Sequence, residues 1–476
     1  MEILTLPFTA TKYEVGHLNT IASVSPLSVY KGLYAQEPYG FLYESLESTG
    51  KRGRYSFTGG KPFLVLKSRG NTIELIFGGE HFRVEANPLH FLRECVHAFQ
   101  TYIPVRPFSG GAVGYVSYDA VRFFEQIPDQ NPDPMPVPEF YFIFPEEVVV
   151  FDHLEKKMDI IVYREKNANE KARELFLKIS NLPHMDSFPL SHPMDEGTEK
   201  FQSNMSKEAF YHMVKRAKEY ILAGDIFQVV LSQRFTFPIF SPPLSVYEAL
   251  RITNPSPYMY ALNLDGLYIY GSSPEILVKV LDNTVTIRPL AGTRPRGHTP
   301  EEDLALEKEL LEDEKERAEH LMLVDLARND IGRVCTYGTV RATELFTVER
   351  YSKVMHITST VQGRLSPAHD AFDCFAACFP AGTVSGAPKV RAMEIIDALE
   401  PHRRGIYAGA IGYFDYSGNM DTCIAIRTVV IQNRMGVIQA GAGIVADSTP
   451  EKEYQETLNK AKALFKAISL RGGGIL

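Results

Sequence analysis

The chain has no tryptophan among its 476 residues, although it carries 24 tyrosines and 29 phenylalanines. Average usage would place roughly five there, so the other two rings must meet the aromatic needs of any core. Cysteine is scarce as well. Cys95, Cys335, Cys374, Cys378 and Cys423 form an odd, scattered set, which excludes a dense disulfide framework. Cys374 and Cys378 lie four apart in the apolar run DCFAACF, with no nearby histidine or cysteine to complete a zinc set. They are expected as buried free thiols. No stretch approaches the ~18 apolar residues of a membrane span. The first residues, MEILTLPFTATKYEVG, lack the basic-then-apolar order of a secretory signal, so a cytoplasmic protein is expected. Positive charge is not in excess either: 50 Lys+Arg against 58 Asp+Glu leaves a net charge of −8. That argues against nucleic acid as the main partner, because phosphate binding needs a basic face. A local positive pocket for a small anion remains possible.

What is present is ordinary globular composition, 45% hydrophobic and 23% charged, in a chain long enough for two or three domains. A Pro-rich, acidic stretch with little periodicity begins at 184. It divides a strand-rich domain, 1–183, from a mixed domain, 206–476, with 184–205 as linker. In the first domain, KPFLVLKSRGNTIELIFGGEHFRVEA reads as short strands broken at Gly70 and Gly78-Gly79. Helices are expected over 87–102 and 170–182. In the second, Ser206 opens a helix that Gly224 ends. IFQVVLSQRFTF is a strand, and the segment from Gly266 is a meander. Thr299-Pro300-Glu301-Glu302 starts a long helical stretch to about 328, with Thr299 as cap and Glu302 placed for a capping box. TCIAIRTVVIQ and MGVIQAGAGIV read as strands, and a last helix starts at Pro450. Strands and helices segregate rather than alternate, so the fold class is α+β, with large antiparallel sheets covered by helices.

Five groups of residues can carry chemistry. Glu316 and Glu319 share one helix face at i, i+3, and Glu453 and Glu456 repeat the spacing on the last helix. Two carboxylates from each of two helices suit a hard cation such as Mg²⁺; a solvated acidic face is the alternative. Gly441-Ala442-Gly443-Ile444-Val445-Ala446 matches G-x-G-x-x-A but lacks the helix and further strand of a dinucleotide site. It reads instead as a tight strand-end turn, or as backbone N–H groups approaching an anion. FPAGTVSGAPK lacks the G-K-[ST] of a phosphate loop, yet it could hold an anion before a helix. RPLAGTRPRG is a basic loop, and His356 is a lone histidine in an apolar strand, either a satisfied core residue or a functional one.

Together these segments resemble one family, the chorismate-utilising enzymes, and within it the anthranilate synthase large subunits. The resemblance runs in order through GDIFQVVLSQRF, RPLAGTRPRG, DEKERAEHLMLVDLARNDIGRV, VMHITSTVQG, FPAGTVSGAPKVRAMEIIDALEP, AIGYFDYSGNMDTCIAIRT and QAGAGIVADSTPEKEYQETLNKA. FLYESLESTGKRGRYSF and FSGGAVGYVSYDAVRFFE extend it into the first domain. It implies antiparallel sheets packed as a sandwich with outer helices. It implies Mg²⁺ on Glu319 and Glu456, supported by Glu316 and Glu453, and Glu275 as general acid. His356 would move or orient protons, and Thr383 would touch substrate oxygens. Chorismate carboxylates would be held by Arg427, Lys460, Tyr413 and the backbone of Gly292, Thr293, Gly441, Ala442 and Gly443. Gln228 stands where water-using relatives carry a lysine base, and Ala291 where aminodeoxychorismate synthases typically carry a lysine. Gln228 fits ammonia in place of water, and Ala291 favours anthranilate over aminodeoxychorismate, the alternative product. No cysteine lies in a G-x-C-x-G turn. The resemblance therefore implies a separate glutamine amidotransferase subunit in an α₂β₂ complex. It also implies a tryptophan feedback site at Ser45 and Pro257-Tyr258-Met259, with no nucleic acid or membrane partner.

Overall fold

The computed structural model describes residues 6–8, 13–46, 53–99, 105, 107–183, 201–351 and 354–469. Its strands join one antiparallel network that two long strands bend into two layers. Tyr55–Arg69 and Phe140–Asp152 pair along their length and shift register between Pro62 and Leu64. The first half of Tyr55–Arg69 pairs with Tyr39–Glu44 and the second half with Thr72–Phe77. From Tyr39–Glu44 one layer continues through Tyr258–Leu264, Leu267–Ser273, Thr428–Gln432, Met435–Ile444 and Gln228–Pro238. From Phe140–Asp152 the other continues through Gly111–Val116, Ala410–Asp415, Met420–Ile424, Ile276–Leu281, Thr284–Ile287 and Val354–Arg364. Leu290–Pro295 and Arg341–Arg350 also pair with Val354–Arg364.

Period-two alternation explains why the central strands are apolar on both faces. On Tyr258–Leu264, Tyr260 and Leu262 enter one core while Met259 and Ala261 enter another; Phe41 and Leu42 divide in the same way. The first core lies between the layers, where the Phe57 and Tyr413 rings are 5.8 Å apart and Tyr43 Oη donates to Gly412 O at 3.1 Å. The second is roofed by helices Pro26–Leu33, Ala168–Ser180, Leu244–Thr253 and Pro450–Ser469, through Tyr30, Leu175, Leu250 and Leu464. Each fully buried side chain of this size contributes about 1.5–3 kcal/mol.

The α+β sandwich expected from the sequence is present, with refinements. The stretch from Pro300 is two helices, Pro300–Glu312 and Glu314–Gly332, broken at Asp313. Asp313 leaves helical geometry (ψ 108°) because its carboxylate caps the second helix, accepting from Lys315 N–H and Glu316 N–H. TCIAIRTVVIQ is two strands, Met420–Ile424 and Thr428–Gln432, separated by Arg427 at φ 50°. The helix expected over 87–102 ends at Ala98. Three helices unforeseen in sequence are Pro26–Leu33, Leu244–Thr253 and Ala371–Cys378. The stretch 184–200 lies outside the described residues. The two expected domains share their sheets: Tyr39–Glu44 pairs with Tyr258–Leu264, and Gly111–Val116 with Ala410–Asp415. All five cysteines are buried and free. Among the described residues no helix is long and apolar enough to cross a membrane.

Candidate active site

Glu275 stands in the bend between Leu267–Ser273 and Ile276–Leu281 and is only 7% exposed. Its backbone is held on both sides: Ile424 N–H donates to its carbonyl at 3.0 Å, and its own N–H donates to Ser273 Oγ at 3.4 Å. Burial pushes the carboxyl up to about 7, against the opposing pull of the Thr383 hydroxyl, the Lys460 and Arg427 charges and the Leu290 N–H. Near neutral pH a large fraction of Glu275 is therefore an uncharged acid with a proton to give. Thr383 Oγ1 is buried without a partner of good geometry, while lying close enough to Glu275 to oppose its shift.

His356 is opposite Thr293 in the strand pair that ends the second layer. Its Nδ1 lies 2.9 Å from Gly292 O and 3.0 Å from Thr293 Oγ1. A carbonyl can only accept, so Nδ1 carries the hydrogen and Nε2 is left as a bare acceptor. That Nε2 is buried and has no partner. Burial also lowers the imidazole to about 4, so the ring is neutral at pH 7. His356 is thus half of a satisfied core histidine, with its other nitrogen left unpartnered.

Arg427 occupies a backbone conformation rare for a non-glycine residue, φ 50°. Burial lowers its pKa, and the nearest opposing influences are Tyr351 and Glu275. Among the described residues no carboxylate pairs with its guanidinium, which leaves a partly buried cation for an anionic ligand. Gly441-Ala442-Gly443 lies within strand Met435–Ile444, so the strand expected over MGVIQAGAGIV is present and the motif is not the tight turn that is one of its two readings. Ser232 N–H is spent on Glu400 Oε1 and Val230 N–H on Ser385 O. Their partners Gly441 and Gly443 therefore turn their peptide groups to the other edge. There the neighbouring strand pairs only as far as Ile438, so the edge is open. Lys460 Nζ donates to Gly441 O at 2.9 Å. A Cβ at Gly441 would fall 2.6 Å from Tyr407 Oη and 3.0 Å from the Leu231 carbonyl, so that position needs glycine; one at Gly443 would fall 2.7 Å from Gln228 Nε2, which would have to turn aside. Tyr407, missed in sequence, is the tyrosine at this edge. Tyr413 packs instead in the inter-layer core, 4.5 Å from the Phe108 ring and 4% exposed, which corrects its expected place against substrate.

The four glutamates come from helices Glu314–Gly332 and Pro450–Ser469. Burial raises the Glu319 pKa; Glu316 and Glu456 raise it further, while Gln228 and Lys460 oppose. Glu453 is raised by burial and by Glu456. Glu456 is about half exposed and pairs with Lys460 at 2.7 Å, while Glu316 Oε1 accepts from Arg294 at 3.2 Å. Among the described residues no three metal-ligating side chains form a closed set. The carboxylates nonetheless repel one another. Their all-oxygen donors are of the kind that would suit a divalent hard cation. Gln228 Nε2 donates to Glu319 at 2.9 Å, and Gln228 Oε1 is left buried without a partner. The site thus gathers an uncharged acid, a neutral imidazole, an unpaired guanidinium, an open glycine edge and a carboxylate cluster. That set suits an anionic substrate whose leaving group needs a proton.

Residues 42–466 match the model of the chorismate binding enzyme family. The chain belongs to that family. It is 48% identical over 462 residues to anthranilate synthase component 1 of Acetivibrio thermocellus, covering 94% of this chain and 93% of the relative. It is 45% identical over 453 residues to the component 1 of Thermus thermophilus, covering 95% and 96%. The crystal structure of anthranilate synthase component I from Streptococcus pneumoniae superposes with a TM-score of 0.79 at 40% identity, covering 94% of this chain and 98% of that one. The menaquinone-specific isochorismate synthase of Escherichia coli shares the fold, with a TM-score of 0.72 at 20% identity over 96% and 95%.

In this chorismate-binding enzyme, the pairing register also unites residues more than 200 positions apart. Glu44 is opposite Met259, so Ser45 adjoins Pro257-Tyr258-Met259, and Leu46 N–H donates to Ser256 O at 3.0 Å. Tyr258 Oη donates to Asp421 at 2.9 Å. Asp421 belongs to Met420–Ile424, the strand whose Ile424 N–H holds the Glu275 carbonyl. The lysine of the failed phosphate-loop motif, Lys389, is structural here: its Nζ pairs with Asp330 at 2.7 Å and ties the loop bearing Thr383 to the end of the glutamate helix.

Proposed function

We propose that this chain is the large subunit of an anthranilate synthase, converting chorismate and ammonia to anthranilate and pyruvate in the first step of tryptophan biosynthesis. The observation that carries the reading is a buried acid at about 7 in a site whose nucleophile position is an amide, Gln228, with no basic nitrogen to offer water. Arg427 and the open edge of Gly441 and Gly443 take the carboxylates of chorismate. Ammonia, already a nucleophile, adds at ring C2. Glu275 protonates the departing C4 hydroxyl, which leaves as water. The intermediate then loses its C2 proton and pyruvate and becomes aromatic, with His356 Nε2 the available neutral acceptor. Glu319 and Glu456 would hold Mg²⁺, which would supply stabilisation of the negative charge that develops in the reaction. All five thiols are buried, so glutamine hydrolysis is assigned to a separate amidotransferase subunit, in an α₂β₂ assembly.

The test is product chromatography after incubation with chorismate and ammonium, with and without Mg²⁺. Aminodeoxychorismate as the end product, or no chorismate consumption, would sink the proposal. Gln228→Lys is expected to lower anthranilate formation and yield traces of isochorismate, because a desolvated lysine can activate water. An unchanged rate and product profile would show that position 228 does not select the nucleophile.

Tryptophan is assigned to the segments Ser45 and Pro257-Tyr258-Met259, which the strand register places side by side. Its binding would be felt at Glu275 through the strand that holds both Tyr258 and the Glu275 carbonyl. Such coupling is typically about 1–3 kcal/mol. Ser45→Ala is expected to raise the inhibitory tryptophan concentration about fivefold or more, with the uninhibited rate nearly intact. Tryptophan titrations at fixed chorismate decide this, and coincident inhibition curves for the two proteins would remove Ser45 from the site.

A further inference from the structure

Arg294 follows Thr293 on strand Leu290–Pro295, and its side chain is 17% exposed. One guanidinium there reaches three carboxylates on both sides of the helix break. Nε donates to Glu309 Oε1 at 3.0 Å, Nη2 to Asp313 Oδ2 at 2.7 Å and Nη1 to Glu316 Oε1 at 3.2 Å. Nη1 also donates to Thr293 O at 3.0 Å. The other oxygen of Asp313 accepts from Lys315 N–H and Glu316 N–H at 3.0 and 3.2 Å. A single carboxylate therefore joins the guanidinium to the first turn of Glu314–Gly332. Strand and helix are in close approach: a Cβ on Gly292 would lie 3.2 Å from Glu316 Oε2. Glu319 is one turn further along that helix. On the strand side, Gly292 and Thr293 hold His356.

We propose that Arg294 is a positioning residue that sets the Glu319 carboxylate against the Gly292-Thr293-His356 edge, and that Glu316 serves this clamp. A planar fork with fixed donor directions suits the task; a lysine ammonium could meet only part of the set. The inference rests on the reading of Glu319 as a cation-holding carboxylate. Glu316 therefore spends its charge on Arg294, and cation affinity depends on a residue that touches neither cation nor substrate.

The test uses the full chain with Arg294→Ala, Arg294→Lys, Asp313→Asn and Glu309→Gln. Asparagine at 313 keeps the helix cap but removes the charged partner. Three quantities are measured: amide hydrogen exchange over 314–320 without metal, Mn²⁺ binding by electron paramagnetic resonance, and ammonium-dependent turnover against Mg²⁺. Arg294→Ala and Asp313→Asn are expected to speed exchange over 314–320 and to weaken Mn²⁺ binding about tenfold, the scale of one or two charge-assisted hydrogen bonds. Arg294→Lys should fall between them and wild type. Glu309→Gln should be silent, since Glu309 is 62% exposed and its pair is screened. Wild-type exchange and Mn²⁺ binding in both Arg294→Ala and Asp313→Asn would overturn the proposal. If Arg294→Ala fails to fold, Asp313→Asn decides alone. If wild type binds no Mn²⁺, the cation reading of Glu319 fails, while the exchange rates still decide whether the clamp exists.

Discussion

Glu275→Gln is expected to slow chorismate consumption by about 10²–10⁴-fold, the usual contribution of a positioned general acid. The amide fills the same space but cannot protonate a leaving hydroxide. The pre-formed aminated intermediate should still be converted to anthranilate by the variant, because that step expels pyruvate and needs no proton from Glu275. Equal loss of both steps would move Glu275 out of the acid role. A pH signature accompanies the effect. The acid form is lost as pH rises through about 7, so the wild-type amination rate should fall on that limb and the variant's residual rate should not. Wild-type stability should fall with rising pH as well. A carboxyl raised from 4.5 to about 7 by burial takes up a proton on folding. Wild-type stability therefore declines as pH rises through that window, and the loss is complete above it. At pH 8 the variant is expected to be more stable, by on the order of 3 kcal/mol. Denaturant titrations at pH 5 and pH 8 measure this; a variant no more stable at pH 8 than at pH 5, relative to wild type, would contradict the buried-acid account.

Glu319→Gln and Glu456→Gln are each expected to remove Mg²⁺-dependent turnover, a loss of several kcal/mol in transition-state stabilisation, or about 10²–10⁴-fold. Neither should harm the fold. At 319 the substitution removes a charge that burial, Glu316 and Glu456 all disfavour, and the amide oxygen can still accept from Gln228. At 456 it removes only a pair with Lys460 whose members are 46% and 50% exposed, worth little in water. Melting temperatures should therefore match or exceed wild type while Mn²⁺ binding is lost. Near-normal activity at saturating Mg²⁺ in either variant would show that the carboxylate cluster does not hold the cation.

The sequence by itself determined what short stretches of chain dictate. Ser206 caps the helix expected to open there, and the turns at Gly70 and Gly78-Gly79 separate the expected strands. Thr299 accepts from Glu302 N–H, although the Glu302 carboxylate reaches back to His298 N–H rather than closing the box. Caps and turns are legible because their partners lie within four residues. Motif order, carried by the resemblance, singled out Glu275, His356, Thr383 and Arg427, and the fold brings Thr383 and Arg427 within electrostatic reach of Glu275, and Arg427 within reach of His356. Only the tertiary structure decided the rest. Tyr407 and Tyr413 are six residues apart and equally apolar in context. The path of the chain before Ala410 puts one at the Gly441 edge and the other between the layers. The twist that aims Arg427 and the break at Asp313 look in sequence like uninterrupted strand and helix. Each is held by partners outside its own segment: Ser272 N–H donates to the Arg427 carbonyl at 3.2 Å, and Arg294 donates to Asp313. Ser45 meets Tyr258 only through the register of two strands more than 200 residues apart. No local signal carries that register, because it is set by which faces of both strands the two cores must bury.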